Sequence, residues 1–220
     1  MASRIVFQQE LEQLRQDVLQ MAEWVEDGYD CLFDALKKND LETMKKFVRH
    51  DRTLEDMQRN IESKCLSLLT RQTPVARDLR TVSAALKVVT DLERCGNHLS
   101  DMAELFVRMS MRELSSFSEA FLPMVTATGE ILKQAADAFL NRDAALGEAV
   151  IKEDDVIDDY FNLIKVDLVE ALKTGSLDAD HCVDALMIAK YLEKIGDHAV
   201  NIGQWEIFQE TGYIDEIRLL

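Results

Sequence analysis

The sequence predicts an all-α protein built as two tandem antiparallel three-helix bundles. Six long segments carry apolar residues at alternating steps of three and four, the spacing that places them on one face of a helix. No segment shows the sustained alternation that is typical of a half-buried β-strand. The connections are short, so consecutive helices are expected to run antiparallel. An internal duplication divides the six helices into two sets of three.

The duplication is clearest between residues 83–104 and 183–204, which align without a gap. Six identical pairs join these segments: Ala85 and Ala185, Leu86 and Leu186, Leu92 and Leu192, Glu93 and Glu193, Gly96 and Gly196, His98 and His198. Earlier positions correspond with a shift of three residues: Asp40 and Asp143, Asp51 and Asp154, Glu55 and Asp158, Ile61 and Ile164. An ordered match over most of both halves predicts two similar subdomains, each long enough to bury its own core.

Composition and charge restrict the class of protein. With 47% hydrophobic and 30% charged residues in 220, the chain is expected to be a folded, soluble protein. Its beginning lacks the apolar core of a signal peptide, and no apolar run is long enough to span a bilayer, so we expect a cytoplasmic location. The net charge of −16 disfavours nucleic acid and anionic lipid as direct partners.

The four cysteines do not indicate a metal site or a disulfide framework. They are widely separated and include no Cys-x-x-Cys pair: Cys31, Cys65, Cys95 and Cys182. We therefore expect reduced, buried cysteines that pack as small apolar residues.

The first predicted bundle covers residues 1–112. Its helices are expected at residues 5–38, 41–70 and 73–111. Thr73 followed by Pro74 is a favourable start for the third helix, because a hydroxyl can cap the first turn and proline is tolerated at the first helical position.

The second predicted bundle covers residues 118–220, after a serine-containing joint at 112–118. Its helices are expected at residues 119–141, 143–173 and 178–210. Gly175 and Gly212 are expected to end the last two helices, because glycine adopts the left-handed conformation at no steric cost.

Carboxylates interrupt the apolar seam of the last helix. Glu193 occupies a position where the helical spacing calls for an apolar residue, and Asp197 follows one turn later on the same side. A buried, unpaired carboxylate is costly, so these side chains require a cation, a hydrogen-bonding partner or access to water. Gly196 between them allows close approach of another group.

The same arrangement recurs in both halves and predicts two carboxylate metal sites. Oxygen ligands on facing helices are the usual basis of metal sites in helical bundles. The candidate ligands are Asp51, Glu55, Glu93, Asn97 and Asp101 in the first half, and Asp154, Asp158, Glu193 and Asp197 in the second. The alternative is that these acids form solvated helix faces, as pairs of acids four residues apart often do. Their seam position and their repetition favour the metal site.

The two candidate sites differ in charge. Asn97 stands where the second half has Asp197, and an amide offers a neutral oxygen in place of a charged one. Asp101, one turn later, is a candidate to compensate. We therefore expect tighter metal binding in the second half.

His98 and His198 are interpreted as structural residues. The alternatives are a metal ligand and a phosphorylated histidine, but a histidine five residues after the glutamate points away from it, and no basic cluster adjoins either histidine in the sequence. The chain also lacks a glycine-rich phosphate loop, a nucleophile elbow and a plausible Ser-His-Asp arrangement. The absence of these motifs disfavours nucleotide-dependent catalysis and leaves only metal chemistry open.

Four segments distributed over the chain resemble the PhoU family of bacterial regulators of phosphate uptake. They are RQTPVARDLR, DLERCGNHLSDMAE, KEDDVIDDY and YLEKIGDHAVNIGQWEIFQETG. The resemblance implies two three-helix bundles, metal clusters on acid-x-x-x-acid motifs, and a homodimer. The motifs of this family fall on Glu93 and Asn97 and on Glu193 and Asp197, so Asn97 departs from the pattern.

The resemblance further implies cytoplasmic repression of phosphate uptake and of phosphate-starvation signalling. The implied partners are the ATPase of the phosphate ABC transporter and a membrane sensor histidine kinase. Iron or zinc is the metal that the family suggests, whereas oxygen ligands alone would allow iron, manganese or magnesium and would rank zinc lower.

Three functions remain open at this point. The favoured one is a metal-binding helical adaptor that regulates phosphate uptake. The second is a carboxylate-bridged metalloenzyme that uses an open coordination position. The third is a plain helical scaffold whose acids are solvated, in which case neutralising Glu193 and Asp197 would relieve like-charge repulsion without any loss of metal.

Overall fold

The computed structural model describes residues 2–48, 52–71, 75–214 and 217–218. In these residues, seven α-helices make up almost all of the regular structure. They are α1 (Ala2–Lys37), α2 (Leu41–Val48), α3 (Thr53–Arg71), α4 (Ala76–Arg108), α5 (Phe121–Asn141), α6 (Ala144–Thr174) and α7 (Ala179–Thr211). A two-stranded antiparallel hairpin, β1 (Tyr213–Ile214) and β2 (Ile217–Arg218), follows α7. The all-α prediction is confirmed.

The second helix of the first half differs from the prediction. A single helix was expected at residues 41–70, but the structure has two helices there, and Arg52 lies in a turn immediately before α3. Apolar spacing continues through both helices, with Met44 and Leu54 both buried, so the pattern alone does not reveal the interruption. Residues 49–51 lie outside the described part of the chain.

Aspartates cap the start of two helices of the second half. The side chain of Asp143 accepts a hydrogen bond from the backbone N–H of Leu146 at 3.0 Å, and Asp178 caps α7 in the same way. Gly175 and Gly212 end α6 and α7 in the left-handed conformation, as predicted.

The start of α4 differs from the predicted one. This helix begins at Ala76, with Val75 as the N-cap residue, and no side chain accepts a hydrogen bond there. The predicted cap, Thr73, lies outside the described residues.

The two halves join along α4 and α7, which pack antiparallel. Near one end, Arg108 of α4 pairs with the buried carboxylate of Asp184, with its Nε 2.7 Å from Oδ2. Near the other end, Arg80 Nε donates to the carbonyl oxygen of Gln209 at 3.1 Å. Between these contacts, apolar residues of both halves form one continuous core. The tandem-bundle architecture is therefore confirmed, while the boundaries 1–112 and 118–220 stay a prediction.

The joint between the halves is more closely packed than its serine-containing sequence predicts. A short 3₁₀-helix, Leu114–Ser116, lies within it, and the side chains of Leu114 and Phe117 are buried. Ser118 is also buried and hydrogen-bonds to the carboxylate of Asp167 on α6. The connection is thus tied to the second bundle by both apolar and polar contacts.

Three of the four cysteines are buried as expected, namely Cys65, Cys95 and Cys182, whereas Cys31 is exposed. Burial raises the pKa of the Cys65 thiol to about 12, so this thiol remains protonated at neutral pH. In the described residues, no helix combines the length and apolar character needed to cross a membrane.

Helices α6 and α7 approach each other most closely where two glycines meet. A Cβ atom added to Gly147 would lie 2.9 Å from the carbonyl oxygen of Gly203, and one added to Gly203 would lie 3.0 Å from the carbonyl oxygen of Gly147. These are backbone atoms and cannot rotate away as a side chain can. The close contact of the two helices therefore requires glycine at both positions.

Gly147→Ala is expected to lower the free energy of unfolding by about 1–3 kcal/mol, because the added methyl group forces the two backbones apart. Urea unfolding monitored by circular dichroism measures this. The control is Gly28→Ala, where the nearest atom to the added Cβ is the flexible end of Leu99 at 3.3 Å. There, the helix propensity of alanine, about 1 kcal/mol better than that of glycine, offsets the contact. Equal effects of both substitutions would contradict this interpretation of the glycine pair.

Candidate functional site

The second-half carboxylates meet across the contact between α6 and α7. Asp154 and Asp158 lie one turn apart on α6 and face Glu193 and Asp197 on α7. Burial, followed by the charges of Asp158, Asp197 and Glu193, raises the pKa of Asp154 to about 6. Burial and the same two α7 carboxylates also raise the pKa of Asp158. The four predicted ligands of this half are thus brought together as mutually repelling neighbours.

Gly196 makes room for the most buried of these contacts. A Cβ atom at this position would lie 2.7 Å from Oδ1 of Asp154 and 3.1 Å from Cδ1 of Ile157. Within the described residues, Asp154 Oδ1 is buried and has no hydrogen-bond partner. The missing side chain therefore provides a cradle for an oxygen atom whose hydrogen-bonding capacity is unused.

Two lysines currently balance the α7 acids. Lys190 Nζ lies 2.6 Å from Oε1 of Glu193, and Lys194 pairs with the carboxylate of Asp197. Over the described part of the chain, no group of three or more His, Cys, Asp or Glu side chains lies close enough to hold a metal ion. The acids are neighbours, but two of them are directed to ammonium groups. Any cation bound here competes with Lys190 and Lys194.

The first-half site has a different character. Asn97 Nδ2 donates to Oε1 of Glu93 at 2.7 Å, so the amide presents its nitrogen to the carboxylate. Glu55 pairs with Arg59, whose Nη2 lies 3.0 Å from Oε2. A Cβ atom on Gly96 would overlap the side chain of Leu54. The first-half glycine therefore contacts an apolar side chain, whereas Gly196 contacts a carboxylate.

A cavity of about 180 Å³ lies beside these first-half groups, and Lys46 and two aromatic residues, Trp24 and Phe47, complete its lining. The structure brings together Glu55, Glu93 and Asn97 at this cavity. Asp51 lies outside the described residues. Asp101 lies elsewhere, with its Oδ2 3.9 Å from Nδ1 of His98.

The two histidines lie between the halves and away from the carboxylate clusters. The rings of His98 and His198 stack with their centroids 5.6 Å apart, and His98 also stacks on Tyr191. His198 Nδ1 is 2.8 Å from Oδ1 of Asp91 on α4. Burial and the neighbouring His198 lower the pKa of His98. These contacts support the interpretation of both histidines as structural residues of the α4–α7 interface.

Sequence reasoning missed two buried acids, Asp184 and Glu206, and one basic cluster. Glu206 is fully buried, and burial followed by the charge of Glu210 raises its pKa to about 8. Its Oε2 accepts a hydrogen bond from Gln209 at 2.7 Å. Its position between buried residues on α7 is the signal that could have revealed it. The basic cluster comes from positions far apart in the sequence: Arg4, Arg15, Arg77 and Arg142.

Comparison with protein families places two copies of one domain on the chain. The model of the PhoU domain matches residues 18–106 and 121–205. Each match covers most of one half, and together they cover most of the chain.

Curated relatives match over nearly their whole length. The phosphate-specific transport system accessory protein PhoU homolog of Clostridium acetobutylicum is 31% identical over 212 residues, which is 96% of each chain. The homolog of the same name from Synechocystis sp. is 33% identical over 209 residues, covering 95% of this chain and 93% of that protein.

Two solved structures share the fold. The crystal structure of PhoU from Pseudomonas aeruginosa superposes with a TM-score of 0.88 at 28% identity and covers 94% of this chain and 100% of that one. The crystal structure of the phosphate transport system regulatory protein PhoU from Streptococcus pneumoniae gives a TM-score of 0.87 at 25% identity. The match covers 96% of this chain and 100% of that one.

In chelator-treated protein, Asp154→Asn is expected to raise the free energy of unfolding at pH 8 by about 1–2 kcal/mol. Because the pKa of Asp154 is raised in the folded state, the folded protein binds more protons than the unfolded chain between the ordinary aspartate value and about pH 6. Its stability falls as the pH rises through this window. The asparagine variant does not undergo this loss. It is therefore expected to be more stable than the parent at pH 8 and about equally stable near pH 4, where Asp154 is protonated in the folded parent.

Urea unfolding at pH 4 and pH 8 measures this difference. The matched control is Asp159→Asn, which removes the same charge from an exposed position of α6 and should change stability little at either pH. A gain of the same size at both pH values would show that the ionisation of Asp154 is not the cause.

Proposed function

Since the chain belongs to the PhoU family, we propose that it is a non-enzymatic negative regulator of phosphate uptake and of phosphate-starvation signalling. It acts in the cytoplasm as a homodimeric helical adaptor. Its partners are the ATPase of the phosphate ABC transporter and a membrane sensor histidine kinase, which it links when phosphate is sufficient.

The observation that carries this proposal is the match over the whole chain, at the level of both sequence and fold. Relatives named as accessory proteins of the phosphate-specific transport system align with almost every residue, including both halves of the duplication. A regulatory protein of phosphate transport superposes on the same fold. Both matches to the family model lie within the two bundles, so the chain is expected to act through the surfaces of these bundles.

Metal binding in the second half is part of the proposal. The residues that would hold the ion are Asp154, Asp158, Glu193 and Asp197. Their donor chemistry fits a hard cation, because all four offer carboxylate oxygens and Asp154 Oδ1 is buried without a hydrogen-bond partner in the described structure. The bound ion would neutralise the repulsion that raises the pKa of Asp154. Iron is consistent with both the family and the donor set, with zinc, manganese and magnesium as alternatives.

The first half is proposed to bind metal more weakly. Asn97 supplies no charge and donates its amide hydrogen to Glu93, while Glu55 is paired with Arg59. These groups already satisfy one another through hydrogen bonds and an ion pair. A cation therefore gains less there than in the second half.

Deletion of the gene in its own organism is expected to raise expression of phosphate-starvation genes and uptake of labelled phosphate in phosphate-rich medium. Restoring the gene on a plasmid should return both to the parental level. Unchanged expression and uptake in the deletion strain would contradict the regulatory function, whatever metal the protein binds.

Glu193→Gln/Asp197→Asn is expected to remove most of the metal that co-purifies with the chain, because it takes two of four charged ligands from the second-half site. Plasma mass spectrometry on protein purified without chelator or histidine tag measures metal per chain. Metal that remains in this variant reports on the first half.

The control for this experiment is Asp155→Asn/Asp159→Asn. It makes the same change in charge at two exposed positions one turn apart on α6 and should leave the metal content unchanged. Equal metal content in the parent and in both double variants would favour a scaffold whose acids are only solvated.

A further inference from the structure

We propose that a pocket lined by four arginines binds a phosphate-type oxyanion. This arginine pocket has a volume of about 340 Å³ and lies between α1, α4 and the end of α5. Arg4 and Arg15 of α1, Arg77 of α4, and Arg142 at the end of α5 contribute its charge. The proposal concerns a site separate from both carboxylate clusters and does not depend on the regulatory function or on a bound metal.

The local charge of the pocket is opposite to that of the protein. The chain has 41 acidic and 25 basic residues, yet the pocket lining combines four arginines with two acids, Glu12 and Asp78. Two further acids of α7 act on the arginines from outside the lining, Glu210 on Arg77 and Glu206 on Arg142. Arginine presents a planar set of N–H donors that matches phosphate oxygens in pairs and remains charged at all physiological pH values. A concave basic surface on an acidic protein is therefore suited to an anion with several oxygen acceptors.

The arginines are only partly used by contacts within the protein. Arg15 Nε donates to the carbonyl oxygen of Leu140 at 2.8 Å, and its Nη1 lies 3.4 Å from Oε1 of Glu12, so this side chain is fixed in the wall of the pocket. Arg77 lies 3.6 Å from Glu210 but keeps most of its side chain exposed. In the described structure, the side chains of Arg4 and Arg142 form no hydrogen bond or ion pair. Donors remain available for a ligand.

The backbone conformation of Arg142 is one that disfavours arginine. Its φ of 56° and ψ of 48° place it in the left-handed region, which disfavours a large side chain. Helices α6 and α7 end with Gly175 and Gly212 in that conformation. The duplicated position in the first half holds Asn39, which tolerates it better than arginine does. The turn itself thus gives no reason for arginine.

Comparison of the two halves indicates that the fold itself does not require arginine at positions 15 and 142. The position that corresponds to Arg15 in the second half is Ser118, just as Arg142 corresponds to Asn39. Both halves fold into similar bundles with and without these arginines. The arginines therefore come together at one end of the α4–α7 pair for a reason other than the repeated fold.

The start of α4 adds a favourable field. Val75 and Arg77 line the pocket at the N-terminus of a helix of 33 residues, and among the described residues no side chain caps this terminus. The first N–H groups of a helix carry partial positive charge and favour an anion nearby. Asp78 in the same turn opposes part of this attraction, so the arginines remain the main source of binding.

The pocket is larger than a single phosphate group, and apolar side chains such as Leu11 and Phe139 form part of its wall. Its ligand can therefore be inorganic phosphate or the phosphate group of a small phosphorylated metabolite. Both present the same tetrahedral oxyanion to the arginines. The probes that distinguish these sources are inorganic phosphate and ribose 5-phosphate.

Isothermal titration calorimetry of the full chain with each probe tests the proposal. EDTA is present throughout, so that phosphate cannot be held through a metal on the carboxylates, and ionic strength is kept constant with chloride. The parent protein should bind at least one probe saturably. Arg77→Gln/Arg142→Asn should weaken that binding at least about tenfold, because two charge-assisted contacts are lost. Asparagine is chosen at position 142 to suit its left-handed backbone.

Lys38→Gln/Arg112→Gln is the charge-matched control, since it removes two positive charges from exposed positions outside the pocket and should bind as the parent does. Arg77→Gln alone, at an exposed side chain, should also weaken binding and guards against a folding defect in the double variant. Tighter binding of ribose 5-phosphate than of inorganic phosphate identifies an organic ligand, and the reverse identifies the free ion. Absence of saturable binding by the parent, or equal losses in the pocket and control variants, would overturn the proposal.

Discussion

The antiparallel packing of α4 against α7 is the contact on which the rest of the structure depends. Each of these helices is the last of its bundle, so their packing joins the two duplicated halves into one core. The buried carboxylate of Asp184 makes the register specific, because it is satisfied by Arg108 of the other half. Sliding the helices by one turn would leave this charge unpaired and buried, which is strongly destabilising. At the centre, His98 and His198 meet as equivalent residues of the two halves.

The duplicated backbone supports two chemically different sites. Gly196 leaves space that Asp154 and Ile157 occupy, whereas the space beside Gly96 is filled by Leu54. The second half consequently concentrates four carboxylates and relies on Lys190 and Lys194 to balance them. The first half instead forms internal polar pairs beside a small cavity with aromatic walls. The helices and the glycine are the same at Gly96 and Gly196, while the residues that pack against these glycines differ.

Charge is distributed unevenly over this acidic molecule. Negative groups collect where α6 meets α7, and arginines collect where α1 meets the start of α4 and the end of α5. Helix α7 borders both regions, because it carries Glu193 and Asp197 and also lines the arginine pocket with Gln209.

The sequence by itself determined the helical class, the duplication and the identity of the second-half carboxylate cluster. These properties are local or periodic: apolar spacing defines a helix face, Gly175 and Gly212 end helices through their own backbone freedom, and acids one turn apart share a side. The sequence did not reveal the turn at Arg52, because the apolar spacing continues through it.

Only the tertiary structure decided which distant residues become neighbours. It placed Arg108 beside Asp184 and His198 beside Asp91. It also assembled the arginine pocket from four positions separated by up to 138 residues, from Arg4 to Arg142. Such contacts depend on the packing of helices from both halves, and no periodic signal along the chain encodes the relative position of two helices that are distant in sequence.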